Sequence, residues 1–230
     1  MELMALLLLW FDRWAYIYAG DLSQKGYVMV RVSNFMVFFL TSGVLFVFNL
    51  YLMDYLSHEG GMDKLPVRLH LIRALSIVGM LLAVVSAFTN LYYYFDESNL
   101  YHRGPAFLIS YIIPVVCPLI QFTVIQQYRK IFGKLIYISL LLYIFVPLAC
   151  GILQIFTYGI SIVNMSMVAV SISLFLFTYI DINNEVEQAY EIEIQNMQGE
   201  KAKMQKLFDQ TATAFVSAVE KKDDFAKVLL

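Results

Sequence analysis

Val28–Leu56 reads VMVRVSNFMVFFLTSGVLFVFNLYLMDYL, and no charged side chain falls between Arg31 and Asp54. A bilayer's hydrocarbon core is crossed by roughly 20 mostly apolar residues in a helix, so this stretch suffices for one span with turns to spare. Similar stretches recur on both sides. Met1–Tyr18 ends in Trp10, Phe11, Trp14, Tyr16 and Tyr18, rings of the kind enriched at the headgroup level. It lacks the basic start and small-residue cleavage site of a signal peptide, and Asp12-Arg13 interrupts it, so it reads as a retained helix. Further spans are expected at about Leu69–Phe95, Ala106–Gln126, Ile131–Phe156 and Ile160–Ile180, giving about six in all.

Composition says the same. Of 230 residues, 60% are hydrophobic and 15% charged, against roughly 45–50% and about 25% in soluble domains. So few charges cannot clothe a soluble globule of this size, which excludes a nucleic-acid module or a soluble metabolic enzyme. The net charge of -2 is the sum of a slightly basic apolar region and an acidic tail. Cys117 and Cys150 both lie in apolar stretches without metal or redox spacing and read as packing residues.

Lysine and arginine resist translocation, so their distribution assigns sides. Lys64, Arg68 and Arg73 flank one link and Arg129, Lys130 and Lys134 another, while alternate links hold fewer, with none in Thr157-Tyr158-Gly159. Both clusters, and the tail with them, are expected in the cytoplasm. After Asp181 the chain turns to Glu, Lys, Gln and Asn, with no proline and one glycine. Spacings of four and three select Tyr190, Ile194, Met197, Lys201, Met204, Phe208, Thr211, Phe215 and Ala218, a heptad seam that predicts a helical homodimer. Lys201, Thr211 and Gly199 weaken the seam, which fits a switchable pairing. A solvated helix packing on a downstream domain is the alternative. The organisation expected is an all-α membrane bundle over 1–180, a cytoplasmic helix over 181–218 and the start of an effector over 219–230.

No phosphate-binding glycine loop, nucleophile elbow or metal-ligand pair appears, and His58, His70 and His102 sit on different links, so no catalytic residue, cofactor or metal is assigned. The signal or ligand candidates are polar groups in or beside spans. Asp12 and Arg13 are ionisable at membrane depth, where charge is expensive and marks either function or an interfacial structural pair. Asn34, Asn49, Asn90, Gln121, Gln154 and Asn164 place amides in nearly every span, as cross-helix glue or as ligand contacts. Pro114 and Pro118 predict a bend with free carbonyls in the fourth span, and Pro147 a second bend. The link Asp96-Glu97-Ser98-Asn99-Leu100-Tyr101-His102-Arg103-Gly104-Pro105 follows Tyr92-Tyr93-Tyr94-Phe95. It is either a recognition surface, through Asp96, Glu97, His102 and Arg103, or a solvated loop closed by an aromatic anchor and a Gly-Pro turn.

Asn34-Phe35, Tyr93 to Pro105 and Tyr158-Gly159-Ile160-Ser161 resemble the multi-span sensor regions of bacterial, particularly clostridial, signalling proteins. That resemblance covers nearly the whole chain and implies a sensor followed by a signalling helix and then a diguanylate cyclase, an HD-GYP phosphodiesterase or a histidine kinase. Leu207-Phe208-Asp209-Gln210-Thr211-Ala212 and Ala218-Val219-Glu220-Lys221-Lys222-Asp223-Asp224-Phe225 are similar to the helix that opens HD-type phosphohydrolase domains. Ala226-Lys227-Val228-Leu229-Leu230 then departs from the Thr, Gly, His and Ser expected there, so no metal ligand or catalytic residue of that family carries over. Seven-span members begin with one more helix, which makes a further segment before Met1 an expectation. The function expected is a sensory input module in the inner membrane, relaying an unknown small-molecule or physical stimulus to a cyclic-di-GMP effector. A small transporter or channel built on the fourth span and the buried amides is the competing expectation.

Overall fold

The computed structural model describes residues 1–154 and 161–228, with side chains described as far as residue 218. Six helices and one small hairpin make up the described residues: α1 Glu2–Ile17, α2 Gln24–His58, α3 Val67–Thr89, β1 Tyr93–Phe95, β2 Tyr101–Arg103, α4 Ile109–Gln127, α5 Lys134–Gln154 and α6 Ile162–Val228. Five of them, α2 to α6, are long and apolar enough to cross a membrane. The 16 residues of α1 rise about 24 Å, less than the roughly 30 Å of a hydrocarbon core. The chain divides into two units, Met1–Tyr179 and Ile180–Leu230.

In the first unit α2 is the hub. Its Val44, Phe48, Leu52 and Leu56 are buried, and they share one core with Leu8 of α1, Leu69 and Ile72 of α3, Val124 and Ile125 of α4, Leu140 and Tyr143 of α5 and Leu174 of α6. Phe48 and Tyr143 stack with ring centroids 4.0 Å apart. The Val28–Leu56 run shows no polar stripe although Val28, Val32 and Leu50 are exposed, and a helix apolar all round is one enclosed by protein or by a membrane. α3 instead buries a narrow face, Leu69, Ile72, Ser76, Gly79, Ala83 and Ser86, spaced by three and four residues. The small side chains on that face let backbones approach closely, as membrane helices do. A Cβ on Gly79 would stand 2.5 Å from Ser42 Oγ of α2. Asn49 of α2 donates to the Leu69 carbonyl of α3 at 2.9 Å. The remaining faces of α3 and α4 present Leu81, Val85, Phe88, Ile112, Val116 and Leu119 outward. Contiguous apolar surface of this kind is the reverse of a soluble exterior.

Two expectations are corrected. The third helix stops at Thr89 rather than continuing to Phe95, because Asn90 takes the left-handed conformation (φ 58°) that ends a helix. Tyr93–Phe95 then pairs antiparallel with Tyr101–Arg103, Tyr94 facing His102, so the link read as an irregular loop is a hairpin, a small exception to an all-helical fold. Gly104 closes it. Its N–H donates to the Tyr92 carbonyl at 2.8 Å, and a Cβ there would fall 2.5 Å from the Asn90 carbonyl oxygen. α2 keeps to within a few residues of its expected bounds and starts at Gln24, where the Ser23 hydroxyl accepts from the Gly26 N–H at 3.0 Å. The Thr157-Tyr158-Gly159 turn, most of the Tyr158–Ser161 motif, and the side chains of 219–230 lie outside the described residues.

Candidate functional site

Asn99 hydrogen-bonds the hairpin to α2 and to the turn before it. Asn99 is buried and left-handed (φ 56°), a conformation asparagine tolerates better than most residues. Its Nδ2 donates to the Asp21 carbonyl at 2.8 Å, its Oδ1 accepts from Arg31 Nη1 at 2.6 Å, and its carbonyl accepts from the Gly20 N–H at 3.1 Å. The Arg31 guanidinium lies 3.4 Å from the Tyr27 ring centroid and 4.8 Å from that of Phe95. Such cation–π contacts add about 0.5–1 kcal/mol apiece at exposed sites. Sequence reading passed over Arg31, Tyr27 and Asp21, which are separated from Asn99 by most of two helices. The one available signal was a lone arginine early in an apolar run.

On the hairpin itself, Asp96 Oδ1 accepts from the Leu100 N–H at 2.9 Å and Asp96 Oδ2 pairs with His102 Nε2 at 2.8 Å. The backbone N–H first, and His102 second, hold this carboxyl below the usual aspartate range. Tyr94 stacks on His102, centroids 5.3 Å apart. Burial pushes the Tyr93 hydroxyl up to about 12, which keeps that hydroxyl neutral. Arg103 lies over Phe107 at 4.7 Å, and Glu97 is exposed at the turn. Asp96, His102 and Tyr94 therefore form one contiguous cluster of a carboxylate, an imidazole and a phenol ring on the hairpin.

A second polar cluster joins α1 to the start of α6. Asp12 is half-buried and in side-chain hydrogen-bonding reach of Ser161 and Asn164. Asn164 donates to Ser161 Oγ at 3.0 Å, and the Val163 N–H donates to Gln154 Oε1 at 3.0 Å. A carboxylate and an amide oxygen thus meet a helix N-terminus, whose free N–H groups favour acceptors and negative charge. Arg13, one residue on, is exposed. It sits about 6 Å from the end of α1, within reach of an interface by snorkelling.

The other amides divide. Asn49 bonds across helices, but Asn34 donates to the Val30 carbonyl of its own helix at 2.8 Å, and Asn90 is an exposed cap. Neither is cross-helix glue. Gln121 is fully buried in α4, with neither amide atom hydrogen-bonded among the described residues. α4 runs unbroken through Pro114 and Pro118, and α5 through Pro147. The prolines leave the Ser110 and Pro114 carbonyls without an i+4 donor. On α6, Tyr190, Ile194, Met197, Met204, Phe208 and Phe215 are all exposed. No group of three metal-ligating side chains stands together among the described residues. No known protein-family model, curated protein or solved structure matches the chain.

Proposed function

We propose that the chain is the sensory input module of a bacterial signalling protein, seated in the cell membrane by about six spans with its tail in the cytoplasm. The observation carrying this is α6, assigned without a break from Ile162 to Val228. Its first turns are apolar and meet Asp12 of α1; its later turns are polar with an apolar seam. A helix transmits rotation or axial shift over such a length only while its hydrogen-bond ladder is intact. The stimulus, a small molecule or a physical change, binds or favours one of two arrangements of the bundle. The hairpin face around Asp96 and His102 is the recognition surface that best suits a ligand from outside. The lysine and arginine clusters at the opposite ends of the helices support a cytoplasmic tail.

Two copies pair through the seam from Tyr190 to Phe215, and the pair drives an effector beyond Leu230. An HD-GYP phosphodiesterase is preferred, with a diguanylate cyclase or histidine kinase as the alternative. The test restores such an effector and places proline at Glu193, which removes a backbone donor and kinks the helix. Loss of regulation with basal effector activity retained is the expected result; regulation unchanged by E193P would sink the relay.

A further inference from the structure

Arg68 stands in the first turn of α3 and reaches across to the last turns of α4. Its Nη1 donates to Thr123 Oγ1 at 2.7 Å and its Nη2 to Gln127 Oε1. The Thr123 hydroxyl donates in turn to the Ile120 carbonyl at 2.7 Å, which leaves its oxygen to accept from the guanidinium. Both acceptors are neutral. Among the described residues the ion pairs join Met1 to Glu2, Asp54 to His58 and Asp96 to His102, so no lysine or arginine there meets a carboxylate. The guanidinium is thus held in place with its charge uncompensated and with N–H donors to spare.

The surroundings keep the same sign. The first turn of α3 holds no acid, and its free N–H groups present the positive end of the helix dipole. Residues 54–73 and 127–134 carry six lysines and arginines against three acids, one of which, Asp54, is paired with His58. Apolar surface adjoins the charge. Leu71 lies three residues on from Arg68 and Leu119 four residues before Thr123, which puts each one turn deeper on the same helix face. Both are exposed.

We propose that this notch at the ends of α3 and α4 binds an anionic phospholipid, its phosphodiester taken by Arg68 and its acyl chains lying along Leu71 and Leu119. A planar guanidinium matches two phosphate oxygens at once. The local excess of cations favours a headgroup of net negative charge over a zwitterionic one. A lipid suits the notch better than free phosphate because the charge opens directly onto exposed leucines. The site rests on the membrane reading above, in which these helix ends meet the cytoplasmic leaflet.

The experiment counts phosphatidylglycerol and phosphatidylcholine bound to the full chain in detergent micelles by native mass spectrometry. One phosphatidylglycerol bound about tenfold tighter than phosphatidylcholine, the equivalent of one charge-assisted hydrogen bond, is expected. Arg68→Gln should bring the two lipids to parity, and Arg68→Lys, which keeps the charge without the fork, should retain part of the preference. Lys203→Gln on the tail removes the same charge and should leave the preference whole. A photoreactive phosphatidylglycerol on the unaltered chain should label the Leu71 and Leu119 turns, so a misfolded variant leaves the question decidable. Equal binding of the two lipids, a preference untouched by Arg68→Gln, or one lost equally in Lys203→Gln overturns the proposal. So does displacement of the lipid by inorganic phosphate, which would give the notch to a soluble anion. Failure of the membrane reading is a separate result, a chain monodisperse without detergent.

Discussion

Arg31 Nη1 donates to Asn99 Oδ1 at 2.6 Å, bridging 68 positions of sequence and fixing the hairpin on α2. Asn99 carries three further bonds and a left-handed backbone. Asn99→Ala loses the side-chain bonds, one of them to a charge, and strains the backbone; a cost of about 2–4 kcal/mol is expected. Asn99→Gly loses the bonds but not the backbone conformation and should cost about 1 kcal/mol less. Unfolding of both variants in mixed micelles checks this. Equal losses would mean that the left-handed conformation contributes nothing.

The hairpin should also loosen in acid. The Asp96 carboxyl titrates below the ordinary aspartate value of 3.8 in the folded chain. A depressed value means that the folded state favours the carboxylate, so its contribution is full above the ordinary value and lost as pH falls through the lower folded one. Amide exchange at Leu100, whose N–H the carboxylate accepts, should therefore accelerate below the ordinary aspartate range. Asp96→Asn should abolish that pH dependence. A Leu100 amide insensitive to acid in the unaltered chain would contradict the assignment.

Where α2 and α3 meet, the limiting contact is Gly79 against Ser42. A new Cβ at 79 would lie 2.5 Å from Ser42 Oγ but 3.2 Å from Ser42 Cβ. Gly79→Ala is expected to destabilise by about 1–3 kcal/mol, the usual cost of overpacking. Ser42→Ala removes the offending oxygen and should recover a large part of that loss. A double-mutant cycle reads the coupling directly, and strict additivity would show that the helices simply slide apart.

The apolar helices were legible because length and hydropathy are local properties; α2, α4 and α5 lie within a few residues of where the sequence puts them. The end of α3 was not. Tyr92 to Phe95 suits a helix at an interface and a strand equally well, and what decides between them is the left-handed Asn90 and the approach of Gly104, a contact from fourteen positions away. The same holds for the candidate site. Asp12 and Asn164 each stood out as polar residues among apolar ones, but only folding brings them within reach of one another. Asn34 shows the converse. An amide in a span satisfies itself on its own helix as readily as on a neighbour's, so its presence alone does not say which.

The seam on α6 has its own signature. Met197 and Met204 are seven residues apart and exposed, as Phe208 and Phe215 are, and a single helix in water gains nothing by keeping such side chains in register. The proposed pairing with a second copy would bury them, a gain of roughly 25 cal/mol per Å² of apolar surface removed from water. With Cys117 and Cys150 replaced by alanine, Met197→Cys and Met204→Cys should each oxidise to a disulfide-linked dimer in membranes. Lys206→Cys, two positions past Met204 and on the side of the helix opposite the seam, should remain monomeric. Crosslinking at all three sites would indicate random collision, and none at any would leave the seam to a different occupant, so either pattern removes the homodimer from the proposed relay.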